Sequence, residues 1–143
     1  MGKKVAFVLS GCGVKDGSEI HEAVAALIAL DMVGYEIIYT APDVDQAATV
    51  DHSTENNESV TRNALREAAR IARGNIKPLS DLRPEDYDAV VFPGGFGAAL
   101  TLCSFASDGP ECSVNPEVES LINAALMSGK PIAAMCIAPV ILA

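Results

Sequence analysis

Lys130-Pro-Ile-Ala-Ala-Met-Cys-Ile-Ala-Pro139 is the stretch that decides the predicted fold of this chain. Its apolar run from Ile132 to Met135 is typical of a buried strand. The residues after Cys136 are small and apolar and suit the start of a helix, which tolerates Pro139 in its first turn. A cysteine on such a turn exposes its thiol, and the positive end of the helix dipole favours the thiolate. The pattern predicts a nucleophile elbow, and the alternative is a small residue packed in the core.

Composition limits the classes of protein to consider. The chain has 143 residues, half of them hydrophobic, and a net charge of −9. This acidity argues against nucleic acid or an anionic membrane surface as a partner, and no apolar stretch reaches the ~18 residues that a membrane span needs. Four cysteines without paired spacing indicate reduced thiols and a cytoplasmic location. With two histidines and no paired ligand spacing, we expect no metal site.

Strands alternate with helices along the chain, which predicts an α/β fold. Strands are expected at residues 4–9, 36–41, 88–92 and 132–135, and helices at residues 19–33, 61–73, 98–103 and 116–128. Right-handed crossovers between them give a parallel sheet covered on both faces, with ligands beyond the carboxyl ends of its strands.

The first helix and the loop after the second strand carry more specific expectations. The segment Asp16 to Ser18 should cap the helix, and a small hairpin is expected around Ala47 to His52. The apolar stripe that should face the core comprises Ile20, Ala23, Val24, Leu27, Ile28 and Leu30.

Three chemically useful features follow three of these strands. Glu22 is either a partner of the helix dipole or a carboxylate over the end of the sheet that can share a proton with a thiol. Gly94 and Gly95 form either a plain tight turn or a turn whose amides face developing negative charge. Together with Cys136 they provide a nucleophile, a carboxylate and an oxyanion site at one edge of the sheet.

Two further segments leave alternatives open. The spacing of Gly11, Gly13 and Gly17 misses the dinucleotide-binding fingerprint by one residue, and we expect no cofactor. Cys12, within this turn, is either a resolving thiol or a buried small residue. The arginines of the helix at residues 61–73 form either a solvated face that pairs with acidic neighbours, which is favoured, or an anion site.

The stretches Gly17-Ser-Glu-Ile-His-Glu22, Phe92-Pro-Gly-Gly-Phe-Gly97 and Ala134-Met-Cys-Ile-Ala-Pro139 resemble the ThiJ/PfpI superfamily, which has the class I glutamine amidotransferase-like fold. Residues 9–22, 61–74 and 92–99 resemble, within it, the ElbB family, named for enhancing lycopene biosynthesis. The resemblance implies a flavodoxin-like three-layer sandwich and a homodimer. It also implies a cofactor-independent glyoxalase that acts on small 2-oxoaldehydes such as glyoxal, with a link to isoprenoid biosynthesis.

By this resemblance, Cys136 is the nucleophile and Glu22 the carboxylate that hydrogen-bonds to its thiol. The amides of Gly94 or Gly95 and of Ile137 form the oxyanion hole. The implied reaction adds the thiolate to the aldehyde, moves a proton through an enediol with Glu22, and hydrolyses the thioester to a 2-hydroxy acid. The alternative is a non-catalytic module that senses oxidation at Cys136, or that binds a small molecule or a partner.

The chain departs from the family pattern in two respects. Ile137 stands where PfpI-type peptidases carry a histidine, which argues against peptidase activity. Members of the family extend well beyond the position of Ala143, so we expect residues 1–143 to be a single domain that is incomplete at its C-terminus. Such a sheet would expose apolar surface or be completed by another copy.

Overall fold

The structure is a computed structural model that describes residues 2–143. Its strands are β1 (Lys4–Val8), β2 (Glu36–Ala41), β3 (Val50–Asp51), β4 (Asn56–Asn57), β5 (Lys77–Pro78), β6 (Ala89–Phe92) and β7 (Ile132–Ala134). Its helices are α1 (Ile20–Met32), α2 (Ala64–Ile71), α3 (Phe96–Leu100), α4 (Phe105–Asp108) and α5 (Pro116–Met127). Short 3-10 turns lie at Leu79–Asp81, Pro84–Asp86, Gly109–Glu111 and Ala138–Ile141.

Five of the strands form one parallel sheet in the order β5-β2-β1-β6-β7. Strand β1 lies at the centre and is apolar on both faces, as expected of a parallel strand. Ala6 and Val8 pack in a core with α3 and α5, whereas Val5 and Phe7 pack in a second core with α1 and α2. Helices therefore cover both faces, and the predicted α/β, flavodoxin-like three-layer sandwich is confirmed.

The two edges of the sheet differ from expectation. Strand β5 was not predicted, because it has only two residues and one of them is Pro78, which cannot donate to a ladder and therefore suits an edge. Strand β7 was expected to be buried, but Ala133 is exposed, and within residues 2–143 no strand pairs with the outer side of β7. The expected hairpin exists as β3–β4, displaced a few residues towards the C-terminus.

Two predictions about helix α1, its buried face and its N-cap, were wrong. Ile20, Val24 and Ile28 were expected in the core, but they are 42%, 42% and 56% exposed, whereas Ala23 is buried. The helix is apolar on nearly all sides, so periodicity alone does not select the face that packs on the sheet. Its N-cap is Glu19 and not the expected segment Asp16 to Ser18, since the Glu19 side chain accepts the Glu22 amide.

Elsewhere the helices follow local signals. Asn115 caps α5 as predicted, and its side chain accepts hydrogen bonds from the amides of Glu117 and Val118.

The loop expected after Ser104 contains α4 and a 3-10 turn. Within residues 2–143, no helix has the length and hydropathy needed to cross a bilayer.

Candidate active site

Cys136 lies on a strained turn two residues beyond β7. Its φ is +56°, a left-handed conformation that costs free energy for any residue except glycine, and its thiol-bearing side chain is exposed. The helix expected after the cysteine is, within the described residues, the 3-10 turn Ala138–Ile141. The turn at Cys136 is therefore a sharp elbow, followed within the described residues by this 3-10 turn.

Two hydrogen bonds connect the start of α1 to the turn at Gly94, and one of them holds Glu22. The Gly94 amide donates to Oε1 of Glu22 at 3.1 Å, and the Glu19 amide donates to the Gly94 carbonyl at 2.9 Å. These bonds join the N-terminus of α1 to the turn after β6. Glu22 is half-buried and aimed at the end of the sheet, and so is more than a partner of the helix dipole.

Gly94 separates the thiol residue from the carboxylate. A Cβ atom at this position would lie 2.6 Å from Cys136 Cβ and 3.0 Å from the Met135 carbonyl oxygen, and it would also collide with Oε1 of Glu22. The absence of a side chain thus allows Glu22 and Cys136 to approach the same backbone atoms from different elements. Within residues 2–143, no hydrogen bond joins Glu22 to the thiol itself.

The two glycines proposed for the oxyanion site differ in what their amides contact. The Gly94 amide is already occupied by Glu22, because that carboxylate lies directly against it. The amides of Gly95 and Ile137 make no hydrogen bond to the rest of the described chain. Gly95 has a φ of +97°, which favours glycine at this position. These two amides are therefore the ones left for a ligand.

Glu19 is a structural carboxylate that sequence reasoning missed. Its Oε2 accepts the Glu22 amide at 2.6 Å, and its Oε1 contacts Nδ1 of the exposed His21 at 3.0 Å. The hydrogen bond from the Glu22 amide lowers the pKa of Glu19 below its ordinary value, and His21 adds to this effect, while desolvation opposes it. The sequence does place this acidic residue directly before the first turn, but Ser18 belongs to a residue type more common at N-caps, and the segment ending in Ser18 was predicted as the cap.

Cys12 lies in a different environment, half-buried in the wall of a polar cavity that includes neither Glu22 nor Cys136. Burial raises the pKa of the Cys12 thiol, and the nearby Arg70 partly opposes this rise. Of the arginines predicted to pair with acidic neighbours, Arg70 does so, since its Nε lies 2.9 Å from Glu67 Oε2, and Arg62 lies 3.6 Å from Glu58 and Glu67. Over the described part of the chain, no three His, Cys, Asp or Glu residues are grouped as metal ligands.

Comparison with known proteins identifies the family. Residues 3–143 match the model of the DJ-1/PfpI family. The chain belongs to this family. It is 52% identical over 141 residues to the human glutamine amidotransferase-like class 1 domain-containing protein 3, mitochondrial, and 52% identical to the rat ES1 protein homolog, mitochondrial. Each alignment covers 98% of this chain and 53% of the relative, so the chain spans about half the length of these curated relatives.

A solved structure has the same architecture. The isoprenoid biosynthesis protein with amidotransferase-like domain from Ehrlichia chaffeensis superposes with a TM-score of 0.92 at 36% identity, covering 97% of this chain and 66% of that protein. The expected cytoplasmic location is contradicted by the curated relatives, both of which are named mitochondrial. The prediction was wrong because unpaired cysteines indicate a reducing compartment without saying which one.

Proposed function

We propose that this chain belongs to the ElbB branch of the DJ-1/PfpI family and carries a cofactor-independent glyoxalase-type site. The site converts small 2-oxoaldehydes such as glyoxal into 2-hydroxy acids. The observation that carries the proposal is the position of Gly94 between Glu22 and Cys136. The Ehrlichia relative is named an isoprenoid biosynthesis protein, which supports this branch and a link to isoprenoid biosynthesis.

The reaction begins at Cys136, whose thiolate attacks the aldehyde carbon and forms a hemithioacetal. The exposed side chain gives a small aldehyde access to the sulfur. The amides of Gly95 and Ile137, which have no partner within residues 2–143, donate to the oxygen that gains negative charge. Donors that are already fixed in place stabilise this charge without reorganising during the reaction.

Glu22 then moves a proton. Its Oε1 is held by the Gly94 amide, and Oε2 makes no hydrogen bond within the described residues, so Oε2 is the oxygen that acts as the base. It takes the proton from the hemithioacetal carbon, and an enediol forms. It returns the proton to the neighbouring carbon, which leaves a 2-hydroxy thioester. Water hydrolyses this thioester and frees Cys136, and because one carbon is oxidised as the other is reduced, no external oxidant is needed.

The test is glycolate production from glyoxal by the chain and four variants. We expect Glu22→Gln to lower kcat by about 10²–10⁴-fold, the usual contribution of a general base, and Cys136→Ser, which removes the nucleophile, to lower it at least as much. Glu117→Gln is the matched control for Glu22, because Glu117 also lies in the first turn of a helix, and Cys112→Ser controls for loss of a thiol. Full activity in Cys136→Ser or Glu22→Gln would refute the mechanism.

The exposure of Cys136 also supports a second candidate, a non-catalytic module that senses oxidation or binds a small molecule or partner. The two candidates differ in turnover. A folded chain that forms no glycolate from glyoxal, yet whose Cys136 is oxidised stoichiometrically by peroxide, would favour the sensor.

A second copy of the chain is the protein partner that we propose. What supports it is the apolar face of α1, where Ile20, Val24, Ile28 and Met32 recur every fourth residue and are all exposed. A helix that is apolar on nearly all sides is normally buried. We expect light scattering to give a dimer for the wild type and a monomer for Ile28→Glu. A monomeric wild type at micromolar concentration would contradict the proposal.

A further inference from the structure

The polar cavity beside Cys12 has walls from three segments: the turn at residues 11–17, residues 46–62, which include the hairpin β3–β4, and the start of α2. We call it the hairpin cavity. It has a volume of about 420 Å³ and does not include Glu22 or Cys136. Its lining residues are Cys12, Asp16, Gln46, Val50, Asp51, His52, Glu58, Arg62 and Glu67.

Asp16 provides a buried acceptor on the cavity wall. Its side chain is only 7% exposed, and its Oδ2 accepts the Val50 amide at 2.8 Å. Oδ1 accepts no hydrogen bond from residues 2–143, and His52 Nε2 lies 3.9 Å away. That nitrogen accepts the Lys15 amide at 3.2 Å, so in the neutral ring Nδ1 carries the proton and donates to the Val50 carbonyl at 3.0 Å. Oδ1 therefore remains available to a ligand that donates.

Arg62 provides donors on the lining of the same cavity. Its Nη2 and Nη1 lie 3.6 Å from Glu58 Oε2 and Glu67 Oε2, which is longer than a good hydrogen bond. Its Nε is buried and has no partner among the described residues. Protein atoms cover Nε, so a ligand in the cavity does not reach it. The donors that Arg62 can offer are Nη1 and Nη2, which the two glutamates hold only loosely.

The charges on the lining decide what kind of molecule fits. Four carboxylates, those of Asp16, Asp51, Glu58 and Glu67, outnumber the single guanidinium of Arg62, so the cavity repels an anion. A metal cation lacks a cluster of three ligands in the described chain, and a cation has no acceptor for the guanidinium of Arg62. The remaining class is a neutral molecule whose groups both donate and accept hydrogen bonds, which is the property of hydroxyl groups.

We propose that the hairpin cavity binds a small neutral polyol, with hydroxyl groups that donate to Asp16 Oδ1 and accept from Arg62. This site is independent of the chemistry proposed for Cys136, because the two share no lining residue. A bound polyol lies against Cys12 and covers its thiol. Cys12 is therefore a reporter of occupancy within the chain itself.

The experiment measures alkylation of each cysteine by iodoacetamide, read by peptide mass spectrometry, as xylitol is titrated. We expect xylitol to slow Cys12 alkylation several-fold and to saturate, while exposed Cys136 is unaffected. Buried Cys103 controls for general stabilisation by a polyol, because its alkylation requires the protein to open. Arg62→Gln should abolish the protection of Cys12, and Arg66→Gln, which alters an α2 arginine outside the lining of this cavity, should retain it.

Three results would overturn the proposal. The first is that Cys12 is not protected at any xylitol concentration. The second is that Cys103 and Cys12 are slowed together, which is the signature of general stabilisation. The third is that glycolate or glycine protects Cys12 better than xylitol does, which would mean that the cavity selects a charged ligand. A circular dichroism melt of Arg62→Gln shows whether it is folded. If it is not, Asp16→Asn tests the proposed acceptor of the polyol in its place.

Discussion

Replacement of Gly94 by alanine is expected to damage the candidate site far more than it damages the fold. The new Cβ would lie 2.6 Å from Cys136 Cβ, whereas carbon atoms in contact are normally about 3.5–4.0 Å apart. One side of the turn must therefore move by about 1 Å. Oε1 of Glu22 is displaced as well, and its hydrogen bond from the Gly94 amide is lost or bent.

Two magnitudes follow from this displacement. Overpacking of a filled site costs about 1–3 kcal/mol of folding free energy, which most domains survive. A shift of about 1 Å between reacting groups costs about 100-fold in rate. We therefore expect Gly94→Ala to remain folded and to lose about two orders of magnitude in kcat for glyoxal.

The assay pairs turnover with urea denaturation and with the alkylation rate of Cys136. Gly109→Ala is the control, since Gly109 has a φ of +58° but open space where the alanine Cβ would stand. It costs about 1–3 kcal/mol, because φ +58° with ψ −136° is a sparsely populated conformation for any residue except glycine, and it should leave both turnover and Cys136 reactivity unchanged. Wild-type turnover and alkylation in Gly94→Ala would refute the assignment of Gly94 as the spacer between Glu22 and Cys136.

Three further predictions concern stability, measured by urea denaturation. Glu19→Ala should lower the free energy of unfolding by about 0.5–2 kcal/mol at pH 7. Because the folded pKa of Glu19 lies below its ordinary value of 4.5, the ionic part of this loss is complete above pH 4.5 and disappears as pH falls through the folded pKa. A loss that does not depend on pH would contradict this. Phe92→Ala should cost about 3–5 kcal/mol because Phe92 is fully buried, and a smaller cost would mean that the site collapses. Cys136→Gly should be about 1 kcal/mol more stable than Cys136→Ala because glycine relieves the positive φ, and equal stability would refute the strain.

Elements with local signals were predictable from sequence. Strand β2 has the predicted bounds, because a run of apolar and β-branched residues follows the helix-ending Gly34. Helix α5 begins after Asn115 as predicted, since an Asn-Pro pair supplies both a cap and a fixed first dihedral angle. The positions of Glu22, Gly94 and Cys136 at one edge of the sheet were also predictable, because parallel strands align their carboxyl ends.

Properties that depend on distant residues were not predictable. Gly94 and Glu22 are 72 positions apart in sequence, and no local pattern indicates that one amide would be occupied by that carboxylate. The role of Asp16 was missed for the same reason, since its partner Val50 lies in a hairpin 34 positions away. The exposed side of α1 was missed because the helix offers apolar side chains in almost every direction.

Helix α1 connects the proposed dimer to the proposed chemistry. Its first turn holds Glu22 against Gly94, and Ile28 on its exposed face lies within two turns of that carboxylate. A partner that buries this face restrains the helix, whereas its loss leaves Glu22 on an element packed along one side only. We therefore expect monomeric Ile28→Glu to lower kcat for glyoxal while the alkylation rate of Cys136 stays constant, because the elbow belongs to a different element. Equal activity of monomer and dimer would mean that the Gly94 hydrogen bonds alone suffice to position Glu22.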